Sequence, residues 1–214
     1  MMNENIPIAV EGLPFAIPLL ILSAALWYFG VRYPAIFFTL LTVFVLWFFR
    51  NPERFAPEAP SAVISPADGR IIVADEVKED RYLKEKALKI SVFMNVFNVH
   101  VNRVPYSGKV KDVIYNKGKF ISANMDKASM DNEQNAVILD TGSGKRIMFV
   151  QIAGLIARRI VCYLKPGDTV EKGKRMGLIR FGSRVDVYLP SGSTLNVKIG
   201  DKVVAGETVL GYLK

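Results

Sequence analysis

Histidine and cysteine are almost absent from this chain, which carries one of each, His100 and Cys162, in 214 residues. A single cysteine excludes an intramolecular disulfide, and one histidine with one cysteine cannot assemble the three or four ligands of a usual zinc site. No metal is expected. A P-loop and a GxGxxG segment opening a helix are also missing, so nucleotide-dependent chemistry has no support. Acidic residues are in the minority, 20 against 28 Lys and Arg, for a formal net charge of +8. The basic residues are scattered and match no nucleic-acid motif, so an anionic membrane surface is the better partner. Cys162 lies in an apolar run, Ile160 to Leu164, and reads as a small core residue.

Apolar residues are plentiful instead. They make up 50% of the chain, and a mean hydropathy of +0.23 is high for a purely soluble protein. The excess is concentrated near the N-terminus. Gly12 to Phe29 carries no charge, and a second uncharged run covers Ala35 to Phe49. At 18 and 15 residues these runs fall at or just below the ~20 that usually cross a bilayer. Two short tilted spans, a re-entrant hairpin and a buried core hairpin all fit these lengths. Trp27-Tyr28 and Trp47-Phe48-Phe49 end the runs, as interface anchors do. No basic segment precedes the first run, so a cleavable signal peptide fits poorly. Arg50 and Arg54 follow the second run, whereas Met1 to Glu11 has neither Lys nor Arg. The positive-inside tendency therefore puts the C-terminal region on the cytoplasmic side of the cell membrane.

Prolines at 52, 57 and 60 cannot continue a helix and mark 51–60 as a linker. The expected organisation is a membrane-anchoring helical hairpin over 1–50, the linker, and a β-rich domain over 61–214. Short runs rich in β-branched or aromatic residues predict strands at Val63-Ile64, Ile71 to Val73, Leu88 to Phe93, Val110 to Tyr115, Ala136 to Leu139 and Arg146 to Ile152. Gln151 to Ile160 is ambiguous, and short helices are expected at Lys84 to Lys86 and Asn124 to Asp131. The class is mainly β (α+β). A weak internal repeat relates Pro166 to Gly173 and Met176 to Ile179 with Ile199 to Gly206 and Leu210 to Leu213. Its Gly-Asp pairs and later glycines predict two similar hairpins near the C-terminus. Lys172 and Lys202 lack the flanking residues of a lipoyl or biotinyl carrier lysine.

Six blocks then stand out in order: FFRNPER at Phe48, SPADGRI at Ser65, NVHVNRVPYSGKV at Asn98, NEQNAV at Asn132, QIAGLIARRIV at Gln151 and RFGSRVDVYLP at Arg180. Together they resemble the phosphatidylserine decarboxylases of the short, self-processing type. The resemblance implies autocatalytic serinolysis between Gly182 and Ser183, giving a β chain (1–182) and an α chain (183–214). Asp68, His100 and Ser183 would form the catalytic triad, with His100 as base and Asp68 fixing its tautomer. Ser183 would become a pyruvoyl cofactor that condenses with the serine amine of phosphatidylserine, and the product would be phosphatidylethanolamine. The cofactor would therefore come from the chain itself, with no metal and no nucleotide. After cleavage, His100 is the natural proton donor to the decarboxylated substrate. Arg103, Arg158 and Arg159 are candidates to meet the lipid phosphate or carboxylate.

Three departures accompany the resemblance. Larger relatives carry Leu-Gly-Ser-Thr at the cleavage site, whereas Ser183 is followed by Arg184, and Gly192-Ser193-Thr194 offers a second match that reads as an exposed turn. Larger relatives have a second histidine where this chain has Phe97. Asp68 belongs to an Asp-Gly pair, a common turn in its own right. A non-enzymatic membrane-tethered adaptor with the same hairpins is the alternative, but it usually carries a long coiled coil and the chain has no heptad run. Phosphatidylserine in an anionic membrane is the expected partner, with ester- and ether-linked lipids sharing its head group. A homodimer is the default assembly.

Overall fold

The computed structural model describes residues 6–123, 128–142, 144–155, 159–180 and 182–214. It divides into two compact units, Met1–Glu53 and Arg54–Lys214. The first unit is a helical hairpin. A single 3-10 turn, Val10–Gly12, leads into α1 (Leu13–Tyr28), which is joined to α2 (Arg32–Phe48) through Gly30 at φ +74°. Pro14 sits in the first turn of α1, where a missing N–H costs nothing. Val10–Tyr28 is a 19-residue helical stretch with a mean hydropathy of 1.8, long and apolar enough to cross a membrane, while Arg32–Phe48 is shorter. Polar side chains are satisfied inside the hairpin. Ser23 and Thr39 share a hydroxyl hydrogen bond of 2.7 Å, Trp27 Nε1 donates to Thr39, and Thr42 donates to the Phe38 carbonyl. Leu20, Ile21, Phe37 and Leu40 face outward, an apolar surface that suits lipid rather than water.

The second unit is β-rich. Its strands are β1 (Ala62–Ile64), β2 (Gly69–Glu79), β3 (Glu85–Met94), β4 (Val101–Arg103), β5 (Gly108–Asn116), β6 (Gln134–Asp140) and β7 (Arg146–Ala153). They continue as β8 (Ile160–Cys162), β9 (Thr169–Val170), β10 (Arg175–Ile179), β11 (Ser183–Pro190), β12 (Thr194–Leu195), β13 (Lys202–Val203) and β14 (Val209–Tyr212), with α3 (Ala128–Asp131) between β5 and β6. The main sheet runs β13-β2-β3-β11-β7-β6-β5-β9, beside two three-stranded sheets, β1-β14-β12 and β4-β10-β8. The mainly β class and the six predicted strands agree with this arrangement. The helix expected at 84–86 does not form. Lys84 takes a left-handed turn conformation at φ +58° and Glu85 already opens β3. The predicted helix over 124–131 is seen as α3 at its C-terminal end, and 124–127 lie outside the described residues.

The internal repeat is a structural one. Gly167 and Gly200 have φ +94° and +95°, Gly173 and Gly206 φ +85° and +81°. In both copies an aspartate, Asp168 or Asp201, accepts from the backbone N–H three residues before it, at 2.8 and 2.9 Å. The likeness extends beyond the sequence match. Gly173 N–H donates to the Val104 carbonyl as Gly206 N–H donates to that of Ser65, and Arg103 and Ile64 reciprocate through the carbonyls of Pro66 and Pro105. Asp68 accepts from Ala205 N–H at 2.8 Å where Ser107 accepts from Lys172 N–H at 2.9 Å. VPYSG thus performs in one half the turn that SPADG performs in the other.

β11 lies in the middle of the main sheet and is buried on both faces. Val185, Val187 and Leu189 enter the larger core with Ile71, Ile90, Val92, Met94, Phe149 and Ala153. The alternate residues Arg184, Asp186 and Tyr188 face the opposite side, where Tyr188 packs in a second cluster with Ala87, Ala128, Ala136 and Met148.

Candidate active site

Ser183 is the first residue of β11. Met94, the last residue of β3, pairs with it on one side, and Ala153, the last of β7, on the other. It is completely buried, with its hydroxyl 4.0 Å from the Met94 sulfur. Gly182 adopts φ +58°, the left-handed region in which a side chain is strained. A Cβ placed on Gly182 would meet nothing within 4 Å, whereas one placed on Gly154 would overlap the Gly182 carbonyl oxygen. The carbonyl before the serine therefore lies directly over a bare Cα, and only glycine at 154 leaves it there.

Buried amides surround this point. Asn102 donates to Met94 Sδ at 3.7 Å, Gln151 Nε2 donates to Asn102 Oδ1 at 2.9 Å, and Asn135 donates to Gln151 Oε1 at 3.3 Å. Asn132 Nδ2 donates to the Ala153 carbonyl at 2.6 Å and to that of Ile121, and its Oδ1 accepts from Ile121 N–H. These residues hold the ends of β3 and β7 against Ser183. They stand in three of the blocks that carry the family resemblance, yet single polar residues in a strand carry no sequence signal of whether they face water or the core.

His100 is 2% exposed and precedes β4. Its Nδ1 lies 2.9 Å from the Asn98 carbonyl, an acceptor, so in the neutral ring Nδ1 carries the proton and Nε2 presents a lone pair. Its own carbonyl accepts from Ile179 N–H at 3.4 Å, which ties it to the strand leading toward Gly182. Asp68 has other partners. Its carboxylate accepts from Ala205 N–H and lies 3.5 Å from Arg54. Asp68 and Asn98 line one cleft of about 530 Å³, together with Arg70, Phe93, Asn95, Phe97 and Lys202. The structure thus brings Ser183 beside Met94, places His100 just before β4 of the adjoining sheet, and sets Asp68 on the cleft that the His100 hydrogen-bond partner also lines.

The remaining predicted residues are placed as follows. Arg103 is buried, its guanidinium donating to the Gly173 carbonyl at 2.8 Å, so it braces the repeat turns. Arg159 is exposed. Arg158 lies outside the described residues. Ser193 donates to the Pro190 carbonyl at 2.8 Å beside Gly192 at φ +93°, in the turn between β11 and β12. Arg184 is buried and bridges Asp186 and Ser91. Lys89 Nζ lies 3.1 Å from the same Asp186 carboxylate, and Ser129 donates to it. Burial alone would push the Asp186 carboxyl up, but the Arg184 guanidinium, the Lys89 ammonium and hydrogen bonds from Arg184 and Ser91 hold it below the usual carboxylate range. Burial, with the nearby Asp186 charge, pushes the Tyr188 hydroxyl far up.

The phosphatidylserine decarboxylase family model matches residues 41–211. The chain belongs to this family. Among its relatives, proteins named phosphatidylserine decarboxylase proenzyme from Desulfotalea psychrophila, Geobacter metallireducens and Syntrophotalea carbinolica are 54%, 52% and 50% identical, each aligned over the full length of both chains. Membership of a family of enzyme precursors displaces the non-enzymatic adaptor as a reading. The family match takes in the end of α2, the SPADG turn, His100 and the whole of β11, so the half-buried Gly182 and the buried Ser183 lie within the shared region.

Proposed function

We propose that the chain is the precursor of a pyruvoyl-dependent decarboxylase, which cleaves itself before Ser183 and then converts phosphatidylserine to phosphatidylethanolamine and carbon dioxide. The observation that carries this reading is Ser183 itself, a fully buried hydroxyl at the head of a central strand, behind a left-handed glycine, in a chain of a proenzyme family. Burial of the Ser183 hydroxyl keeps bulk water away from the nucleophile.

In this scheme His100 Nε2 takes the Ser183 proton as Oγ adds to the Gly182 carbonyl carbon. The C–N bond then breaks, the nitrogen takes up a proton, and the acyl group rests on the serine oxygen as an ester. Loss of the Ser183 α-proton expels the ester oxygen with its electron pair. The upstream chain ends in a Gly182 carboxylate and the downstream chain begins with dehydroalanine. Tautomerisation to an imine and addition of water release ammonia and leave a ketone at position 183. The space around Gly182 gives the new carboxylate room to withdraw, and the thioether of Met94 offers the residue at 183 an apolar neighbour, so the site fits the group.

Once formed, the pyruvoyl group supplies a carbonyl for the substrate amine and a sink for the electron pair left by departing carbon dioxide. His100, held by the Asn98 carbonyl, returns a proton to the decarboxylated carbon. The Asp68 carboxylate, on the cleft that Asn98 also lines, is the charge that would steady the imidazolium formed in each half of the cycle. The apolar hairpin of the first unit anchors the enzyme in the cell membrane, with the second unit on the cytoplasmic side, where Arg50 and Arg54 follow α2. A homodimer is the assembly proposed with it.

Intact mass spectrometry of the wild-type protein beside Ser183→Ala tests the scheme. The wild type is expected as two chains, 1–182 and 183–214, the shorter one gaining the mass of two hydrogens on borohydride reduction. Ser183→Ala is expected as a single chain. A wild type that stays whole while releasing carbon dioxide overturns the scheme, and cleavage before Ser193 moves the site.

A further inference from the structure

The loops that leave the main sheet beside Ser183 differ from those at the far ends of the same strands. Ser183 lies between Met94, where β3 ends, and Ala153, where β7 ends. From these two residues the chain continues into 95–100 and 154–159. Each segment exposes one large apolar side chain, Phe97 at 67% and Leu155 at 63%. The turns at the other ends of β3, β7 and β11 are 80–84, 141–145 and 191–193, and none of their described residues is an exposed large apolar one. Single exposed apolar residues are ordinary on a protein surface, but here the two stand on the loops that flank one buried serine.

Cations stand on both sides of this pair. Phe97 lines the cleft of about 530 Å³ together with Arg70 and Lys202, both exposed and directly opposite one another on adjacent strands. Leu155 follows Gly154, whose Cα lies against the Gly182 carbonyl. The exposed Arg159 borders the same stretch, its own carbonyl accepting from Arg180 N–H at 3.3 Å. Arg70, Lys202 and Arg159 make no ion pair among the described residues, whereas Lys78 and Arg146, near the far turns, are paired with Asp80 and Glu85. Like charges directly opposite in a sheet repel, and an anion between them reverses the sign of the interaction. Apolar tips set between unpaired cations suit an anionic lipid surface, because the tips enter the acyl boundary while the basic side chains meet phosphates.

We propose that this end of the second unit is a docking surface for the head-group layer of an anionic phospholipid bilayer, a choice of partner that rests on the decarboxylase reading. The head-group layer is only ~5–8 Å deep on each side of a bilayer. A serine head group in that layer reaches the completely buried Ser183 only where this end of the sheet is pressed against it. Phe97 and Leu155 then sink beside the two strands that flank the serine. Arg70, Lys202 and Arg159 bind lipid phosphates around them and make no contact with the reacting atoms.

The test places an environment-sensitive fluorophore on full-length chains carrying Phe97→Cys, Leu155→Cys or, in the 191–193 turn, Ser191→Cys. Burial pushes the Cys162 thiol up, so it reacts slowly, and the unsubstituted chain is the blank. The chains are incorporated one per nanodisc, in phosphatidylcholine with or without phosphatidylglycerol. Nitroxide lipids quench from the bilayer and iodide quenches from water. Labels at 97 and 155 are expected to be quenched by nitroxide and shielded from iodide, more so with phosphatidylglycerol, and the label at 191 to show the reverse. The uncleaved Ser183→Ala chain is expected to give the same pattern, because the surface exists before processing. Leu155→Ser is expected to lower kcat/KM for phosphatidylserine in vesicles about 10-fold and to leave that for water-soluble glycerophosphoserine unchanged. Iodide reaching 97 and 155 as freely as 191 overturns the docking surface. Equal nitroxide quenching without phosphatidylglycerol overturns the anionic partner. Shielding from both quenchers in detergent micelles that fades on dilution also overturns the proposal, since it makes this face a contact between two copies of the chain. A wild type that releases no carbon dioxide defeats the decarboxylase reading, while the quenching pattern still decides the surface.

Discussion

Arg184 and Asp186 show how much of the site depends on residues that perform no chemistry. Two positions apart in a strand, they share a face, and their contact buries both charges beneath Tyr188, with Lys89 and Ser129 closing the network. Removing one member leaves the other uncompensated, which costs far more than the intact pair contributes. Asp186→Asn is expected to destabilise the second unit by about 3–5 kcal/mol, measured by denaturation in a Ser183→Ala background so that cleavage does not blur the transition. The same pair sets an acid limit. The Asp186 carboxyl is held below its unfolded value, so its contribution is fully present above about pH 4. That contribution is lost as pH falls through the lower folded value. Denaturation midpoints at several acid pH values check this, and Asp186→Asn should lose that part of the pH dependence. Arg184 reads in sequence only as a basic residue after the serine, and the structure buries its guanidinium against Asp186 and Ser91.

At the scale of elements, the ends of three strands make the site. β3 stops at Met94, β7 at Ala153 and β11 starts at Ser183, so one register places all three side by side. Gly154, just past β7, admits the Gly182 carbonyl. Gly154→Ala is expected to slow self-cleavage by about 100-fold, the scale of a displaced reacting group, while the folded β-rich unit persists. Hydroxylamine distinguishes the step affected, because it cleaves an ester and leaves an amide intact. A stalled Gly154→Ala chain that resists hydroxylamine has failed before the acyl shift, as expected. A chain cut by hydroxylamine before Ser183 has already shifted and would refute a role for Gly154 in setting the carbonyl. The glycine is visible in sequence as part of QIAGLIARR, but its neighbour across the sheet is not.

For the whole molecule, the proposed cleavage between 182 and 183 should divide the covalent chain without separating the structure. β11 lies between β3 and β7, and β14 pairs with β1, so the 183–214 chain is interleaved with the longer one through main-chain hydrogen bonds and both cores. The two chains are expected to elute as one species in mild detergent and to part only in denaturant; dissociation under native conditions would contradict this arrangement. The apolar hairpin, the alternation of the strands and the two copies of the C-terminal repeat were legible in the linear order because each depends on composition or on residues a few positions apart. RFGS and NVHVNR were legible as blocks for the same reason. Which strands meet depended on contacts far apart in the chain. Met94 reaches Ser183 across 89 positions, and Lys202 reaches Arg70 from across most of the domain. Asp68 and Ser107, unlike in sequence, serve equivalent turns, and the proton on His100 is directed by a main-chain carbonyl. A backbone carbonyl has no letter of its own, and register is settled by burial on both faces of a sheet at once. Local order could therefore single out the serine and the histidine proposed for the site, while their surroundings came only from the packing that closes the sheet around them.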